Sequence, residues 1–389
     1  MSDGKLKTGR FFCLDVARGL AIIGIILYHV RHIYPPLMSA DGTTTGYWAI
    51  LRTVISKGGE LGVELFFLIS GYSIYSSIIN QRGSLSGLRF LMKRLRRIYV
   101  PYWYSLICAG IIIPIIIATI NYIKYKSFDI KWIPYSFVDW IEVITLIRVF
   151  FSNGWPPASA FAPLWVNWYI AIILQIYIII SLIITLRLSL LKTCIVLTIV
   201  SLVSMIHPIK NIIPIGLFVP YWIDFSTGIL LFYMIHGLGH SWHISHKGGV
   251  IVAFVLISMF VYLYIITSQP IFACIIAASI AYCLYPYDDA IASFIPAKVM
   301  AFVGRISYSL YLMNNPLLWI IAPNLYIFRL PAYITYPYMP LFLVIISGYI
   351  WYVLFEKPST LSANVLAIVH PLDAIRSDML SAKNPGIRH

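Results

Sequence analysis

The chain has 389 residues, is 60% hydrophobic and only 11% charged, and carries a net charge of +14. Ordinary soluble domains are ~25% charged, and a single core cannot hide this much apolar surface, so soluble enzymes and soluble binding modules are excluded. Nucleic acid is excluded as a partner too, because Lys and Arg sit between apolar segments rather than in an aromatic-interleaved basic patch.

The expected fold is an all-α polytopic membrane protein. Apolar windows of ~17–25 residues are the spanning unit. Ten occur, at about 11–33, 61–81, 99–121, 164–186, 190–206, 214–236, 249–267, 270–285, 299–321 and 335–356. The lead MSDGKLKTGR has no small-residue cleavage site behind it, so no removable signal peptide is expected.

The first span, "FFCLDVARGLAIIGIILYHV", holds Asp15, Arg18 and His29. Each costs at least ~2.5 kcal/mol at the centre of an inserted helix. Eleven steps of ~100° bring Arg18 and His29 within ~20° of each other, and Asp15 is a helical neighbour of Arg18. The three form one stripe facing the bundle interior or a water-filled cavity, and its ends differ in depth by ~16 Å. Two readings stand: a structural ion pair with a hydrogen-bonded histidine, or a path joining two depths.

The second span, "KGGELGVELFFLISGYSIYSS", places Glu60 at the interface and Glu64 at a depth similar to His29. A carboxylate beside an imidazole is the usual arrangement of a tuned general base. Ser70 and Gly71 lie deeper, where the glycine permits close approach of a helix or ligand. Next, "RFLMKRLRRIYVPYW" presents Arg89, Lys93, Arg94, Arg96 and Arg97. Such a run serves as a topological flank, as a site for a phosphate-rich cytoplasmic ligand, or as a contact for anionic lipid headgroups.

The longest loop, about 122–163, contains "SFVDWIEVITLIRVFF". Its polar residues Asp139, Glu142, Thr145 and Arg148 recur at helical spacing, which predicts an amphipathic helix on the outer interface. "SNGWPPASAFAP" follows as a turn region. In the sixth span Asp224 is expected to face the interior. The run "HGLGHSWHISH" has no nearby Cys or Asp, and the five cysteines lack metal-type spacing, so neither a metal nor a disulfide is expected. The domain is expected to cover 1–358, with a short cytoplasmic tail at 359–389.

An even number of spans puts both termini on one side. With the termini inside, 18 of the 28 Lys and Arg residues fall on inner loops and tails, nine fall outside, and Arg18 is intramembrane. The positive-inside bias therefore supports cytoplasmic termini.

Taken in chain order, these residues resemble the acyltransferase-3 family of integral-membrane acyltransferases. Arg18 and His29 match its arginine–ten-residue–histidine motif. "GVELFFLISG" is similar to its second-helix signature, with Phe67, Ser70 and Gly71 in place and Glu64 as the acid. Arg94 and Arg97 match R-x-x-R. Trp168 and Tyr177 match W-x8-Y, "GRISYSLYLMNNP" resembles the G-x-x-S-Y-x-x-Y-L-x-H-x-P segment, and "FEKP" the closing E-x-P. Asn314 stands where many members have histidine, and asparagine can still form hydrogen bonds.

The resemblance implies transfer of an acyl group, commonly acetyl, from cytoplasmic acetyl-CoA to a hydroxyl of an extracytoplasmic glycan or glycolipid. Lipopolysaccharide O-antigen is the favoured acceptor, and the bacterial inner membrane is the expected location. Arg94 and Arg97 are then expected to hold coenzyme A phosphates, with Arg18 and Ser70 along the donor path. His29 would be the general base and Glu64 would orient it, with transfer either direct within one ternary complex or through a covalent acyl-enzyme. Asp15, Phe67, Gly71, Trp168, Gln175, Tyr177, Ser307, Tyr308 and Tyr311 are supporting or pocket residues. Membrane lipids are the other expected partner. The rivals are a glycolipid flippase, which needs neither a His29 base nor donor arginines, and an acyltransferase acting on an amino sugar or a small molecule.

Overall fold

In a bilayer, long apolar runs satisfy their backbone polar groups within a helix. The computed structural model, which describes residues 11–33, 47–80, 86–126, 137–150, 168–206, 216–236, 258–259, 270–321 and 338–359, is accordingly helical, with no strand among these residues. In order, the helices are α1 (Phe12–Ile33), α2 (Tyr47–Asn80), α3 (Gly87–Ile107), α4 (Ile113–Tyr125), α5 (Phe137–Thr145) and α6 (Trp168–Thr185). They continue with α7 (Leu190–Ser204), α8 (Trp222–His236), α9 (Pro270–Leu284), α10 (Asp288–Ser293), α11 (Ile295–Arg305), α12 (Ser307–Ile321) and α13 (Tyr338–Trp351).

Among the described residues five helical stretches are long and apolar enough to cross a membrane: 12–30, 61–80, 168–185, 271–293 and 339–359. The shorter apolar helices Pro114–Ile123 and Leu190–Ser204 fall within two further expected spans. Most of 249–267 and the tail beyond 359 lie outside the described residues.

Among the described residues, several expected spans are not single α-helices, two of them broken in mid-course. In 99–121, a π-turn at Cys108–Ile112 joins α3 to α4 just before Pro114. The proline has no amide to donate and its ring clashes with the carbonyl four residues back, and the π-turn absorbs both. The expected span 299–321 is two helices meeting at Ile306. Of these, α11 exposes Ile295 and Val299 while burying Ala297, Ala301 and Gly304 against the start of α1.

The α1 entry is fixed from far along the chain. The Asp288 carboxylate accepts from the amides of Phe12 at 2.9 Å and Cys13 at 2.8 Å, so it caps the helix and meets its positive end. At Gly304 a Cβ would run into the Asp15 carbonyl, which is how α11 comes so close to α1. The contact between α2 and α8 is equally tight. A Cβ on Gly71 would strike the Phe225 carbonyl, and one on Gly228 the Leu68 carbonyl. Small residues drive such contacts where lipid offers no hydrophobic gain.

The helix expected over 136–151 is present in part as α5, which is followed by Leu146, a residue with φ 61°, and a 3-10 turn at Ile147–Phe150. Its exposed side carries Phe137, Val138, Ile141 and Ile144, while Val143 and Leu146 are buried. Tyr102 on α3 donates to the Val143 carbonyl at 2.6 Å. The exposed face is thus largely apolar.

Candidate functional site

The basic run on α3 lies alongside α6. Ser181 donates to the Gly87 carbonyl at 2.8 Å, and the Arg94 guanidinium lies 5.9 Å from the Tyr177 ring centroid and 5.6 Å from that of Phe90. Ring faces attract the cation and hold it in one orientation. With α1, α2, the end of α11, α12 and the π-turn Tyr352–Glu356 after α13, these helices line a cavity of about 210 Å³.

Four arginines line it: Arg18, Arg94, Arg97 and Arg305. Glu356 is the acidic lining residue, 2% exposed, and accepts a 2.5 Å hydrogen bond from Ser309. Arg18 pairs with Asp15 at 3.5 Å. The cavity therefore carries an excess of positive charge behind apolar walls, where charge interactions are weakly screened. Forked guanidiniums in such a setting suit phosphate or carboxylate oxygens.

Of the residues expected from sequence, Arg18, Ser70, Arg94, Arg97, Tyr177, Ser307, Tyr308 and Tyr311 all line this one cavity. Tyr308 also donates to the Ile98 carbonyl at 2.7 Å, tying α12 to α3. Others fall elsewhere. Phe67 and Trp168 pack against Tyr221, both at 5.4 Å between ring centroids. Gly71 serves the α2–α8 contact. Gln175 braces the chain before α8, donating to the Gly216 carbonyl at 2.8 Å and accepting from the Phe218 amide at 3.1 Å. These two bonds tie α6 to the chain that leads into α8.

His29 lies just beyond the cavity, 7% exposed, with Nδ1 2.7 Å from Oδ1 of the fully buried Asn314. Asn314 Nδ2 donates to the carbonyl of Tyr311, a cavity residue one turn back along α12. Glu64 sits deeper than its sequence position suggests. Gly59 abuts Tyr28, and Gly62 abuts Ala21 and Ile25. That antiparallel register puts Glu64 about six residues, or ~9 Å, further in than His29. There it shares an electrostatic neighbourhood with Tyr221, Asp224 and Cys274.

Sequence reasoning missed Ser73, Tyr169 and Arg305 as lining residues. Ser73 is three residues after Ser70 on the same helical face, and Ser70 lies 3.5 Å from the Tyr169 hydroxyl. Arg305 and Glu356 stand inside the two C-terminal motifs, so a signal for them existed. In the histidine run, His236 is bonded to the Tyr72 hydroxyl at 3.0 Å, while His240, His243 and His246 lie outside the described residues.

The acyltransferase domain family matches residues 11–356. The O-acetyltransferase OatA of Staphylococcus aureus (strain NCTC 8325 / PS 47) is 27% identical over 356 residues, covering 82% of this chain and 53% of the relative. The peptidoglycan O-acetyltransferase OatA of Listeria monocytogenes is 31% identical over 102 residues, covering 25% of this chain and 13% of the relative. The chain thus spans about half the length of the Staphylococcus protein. No solved structure matches it.

Proposed function

Because the chain belongs to the acyltransferase-3 family, we propose that it transfers an acyl group, in the first instance acetyl, from cytoplasmic acyl-coenzyme A to a hydroxyl of a glycan outside the membrane. The observation that carries this reading is the cavity with four arginines on its walls and His29 just beyond its Tyr311 end. Arg94 and Arg97 hold donor phosphates. Arg18, kept in place by Asp15, lines the path from the phosphates towards the base, and Ser70 adds a hydroxyl to its wall.

At the far end His29 takes the proton of the acceptor hydroxyl while its oxygen bonds to the acyl carbon. The carbon–sulfur bond breaks, and the leaving thiolate receives that proton from the imidazole. The products are an ester and free coenzyme A. Ten spans with both termini cytoplasmic, in a bacterial inner membrane, would put the donor and acceptor ends of α1 on opposite sides.

The names of both relatives support O-acetyl transfer, and that of the Listeria protein specifies peptidoglycan, a cell-surface glycan, as its acceptor. Peptidoglycan is therefore to be compared directly with lipopolysaccharide O-antigen. Mass spectrometry of both glycans, from cells with and without the gene, makes the comparison. An acetyl ester should disappear from one of them on deletion and return with the wild-type gene. It should not return with His29→Gln. Unchanged acetylation on deletion would remove the reading, and full restoration by His29→Gln would remove the base.

A further inference from the structure

We propose that Asn314 is a positioning residue that holds His29 in the Nδ1–H tautomer, so that Nε2 is the nitrogen that accepts the proton; this rests on the reading of His29 as the base. The orientation of the Asn314 amide is fixed by its neighbours. Its nitrogen lies 2.7 Å from the Tyr311 carbonyl oxygen, which can only accept, so the NH2 group must point there. The amide oxygen is then the atom facing His29 Nδ1 at 2.7 Å. A carboxamide oxygen also only accepts, which makes Nδ1 the donor. A neutral imidazole carries one N–H, and its position follows from the bond the other ring nitrogen makes. The lone pair is left on Nε2.

The arrangement has two consequences. Protonation at Nε2 leaves the Nδ1–H bond to Asn314 intact, so the ring accepts and returns a proton without rotating. In addition, the base is tied to the donor cavity: the Tyr311 ring lines that cavity while its carbonyl anchors the amide. At Nδ1 the orienting contact comes from a neutral side chain. Asn314 thus fixes direction without adding a charge to stabilise the imidazolium.

The test uses membranes of a deletion strain carrying full-length variants, supplied with radiolabelled acetyl-CoA and read as alkali-labile label in endogenous glycan. Asn314→Leu should lower the maximal rate by ~10²–10⁴, the usual worth of an acid–base group. Its apparent KM for acetyl-CoA should stay within about twofold, the pattern of an interaction made in the transition state. Asn314→Asp keeps an acceptor facing Nδ1 but sets its second oxygen against the Tyr311 carbonyl, so it should recover part of the loss and run faster than Asn314→Leu. Asn314→Leu at the wild-type rate, with His29→Gln inactive, overturns the role of Asn314 and leaves the base standing. His29→Gln at the wild-type rate overturns the base and this inference together. Nitrogen NMR of histidine-labelled wild-type protein in bilayers, differenced against His29→Gln, reads the tautomer even where a variant misfolds. A non-protonated Nε2 is expected, and a non-protonated Nδ1 would refute the assignment.

Discussion

The two sides of α2 solve different problems with neighbouring residues. Towards α8, Gly71 meets the Phe225 carbonyl and Tyr72 and Tyr75 reach His236 and Tyr233, so the helices close with no room between them. Towards α3, α6 and α12, Phe66, Ser70, Ser73 and Ile74 form one wall of a cavity. The difference lies in what the opposing helices carry. Glycines let backbones touch, whereas arginines need space and polar company in an apolar bundle. A membrane helix can therefore be clamped on one face and leave the other open for a ligand.

The contrast is broken most severely from the closed side. Gly71→Leu should cost about 3 kcal/mol or more, because the side chain is forced onto a backbone carbonyl. Size-exclusion profiles of the detergent-solubilised protein should show its loss, whereas Ser70→Ala, three-dimensionally next door on the open side, should elute like wild type. Within the cavity, Arg94→Ala or Arg97→Ala should raise the apparent KM for acetyl-CoA by about 10–100-fold at normal expression, as expected for one charge-assisted hydrogen bond. An unchanged KM in both variants would remove their assigned role.

Smaller effects should follow at the cavity rim. Ser309→Ala leaves the buried Glu356 without its hydroxyl donor and should lower stability by about 2 kcal/mol, read as a fall in thermal midpoint. Tyr308→Phe removes only the bond to the Ile98 carbonyl and should cost about 1 kcal/mol by the same measurement. If Tyr308→Phe lowered stability more than Gly71→Leu, the division of α2 into a clamped and an open face would be wrong.

Much of the candidate site is legible in the chain because helical phase is a local property. Arg18 and His29 on one stripe, the Arg94–Arg97 pair and the Ser307–Tyr311 face all follow from 3.6-residue periodicity, and most of these side chains do converge on one cavity. An amide in an apolar helix suits a pocket and a backbone clamp equally well, and only the position of residues 216–218 gives Gln175 its backbone partners. The depth of Glu64 relative to His29 is not legible along each helix separately, because the register set by Gly59 and Gly62 slides one helix past the other. The break at Ile306 escaped a reading based on apolar content, since α11 and α12 are both apolar enough to continue as one span.

The sequence by itself determines the class of molecule and the phase of each charged stripe, because the absence of water in the bilayer forces helices and forces ionisable groups off the lipid face. Partnership is what it leaves open. That Asp288 caps α1 from 276 residues away, that Glu356 joins the arginines, and that Asn314 rather than Glu64 meets His29 Nδ1 depend on register and crossing between helices. Those are decided only when the glycine contacts of the assembled bundle bring the helices to their final separation.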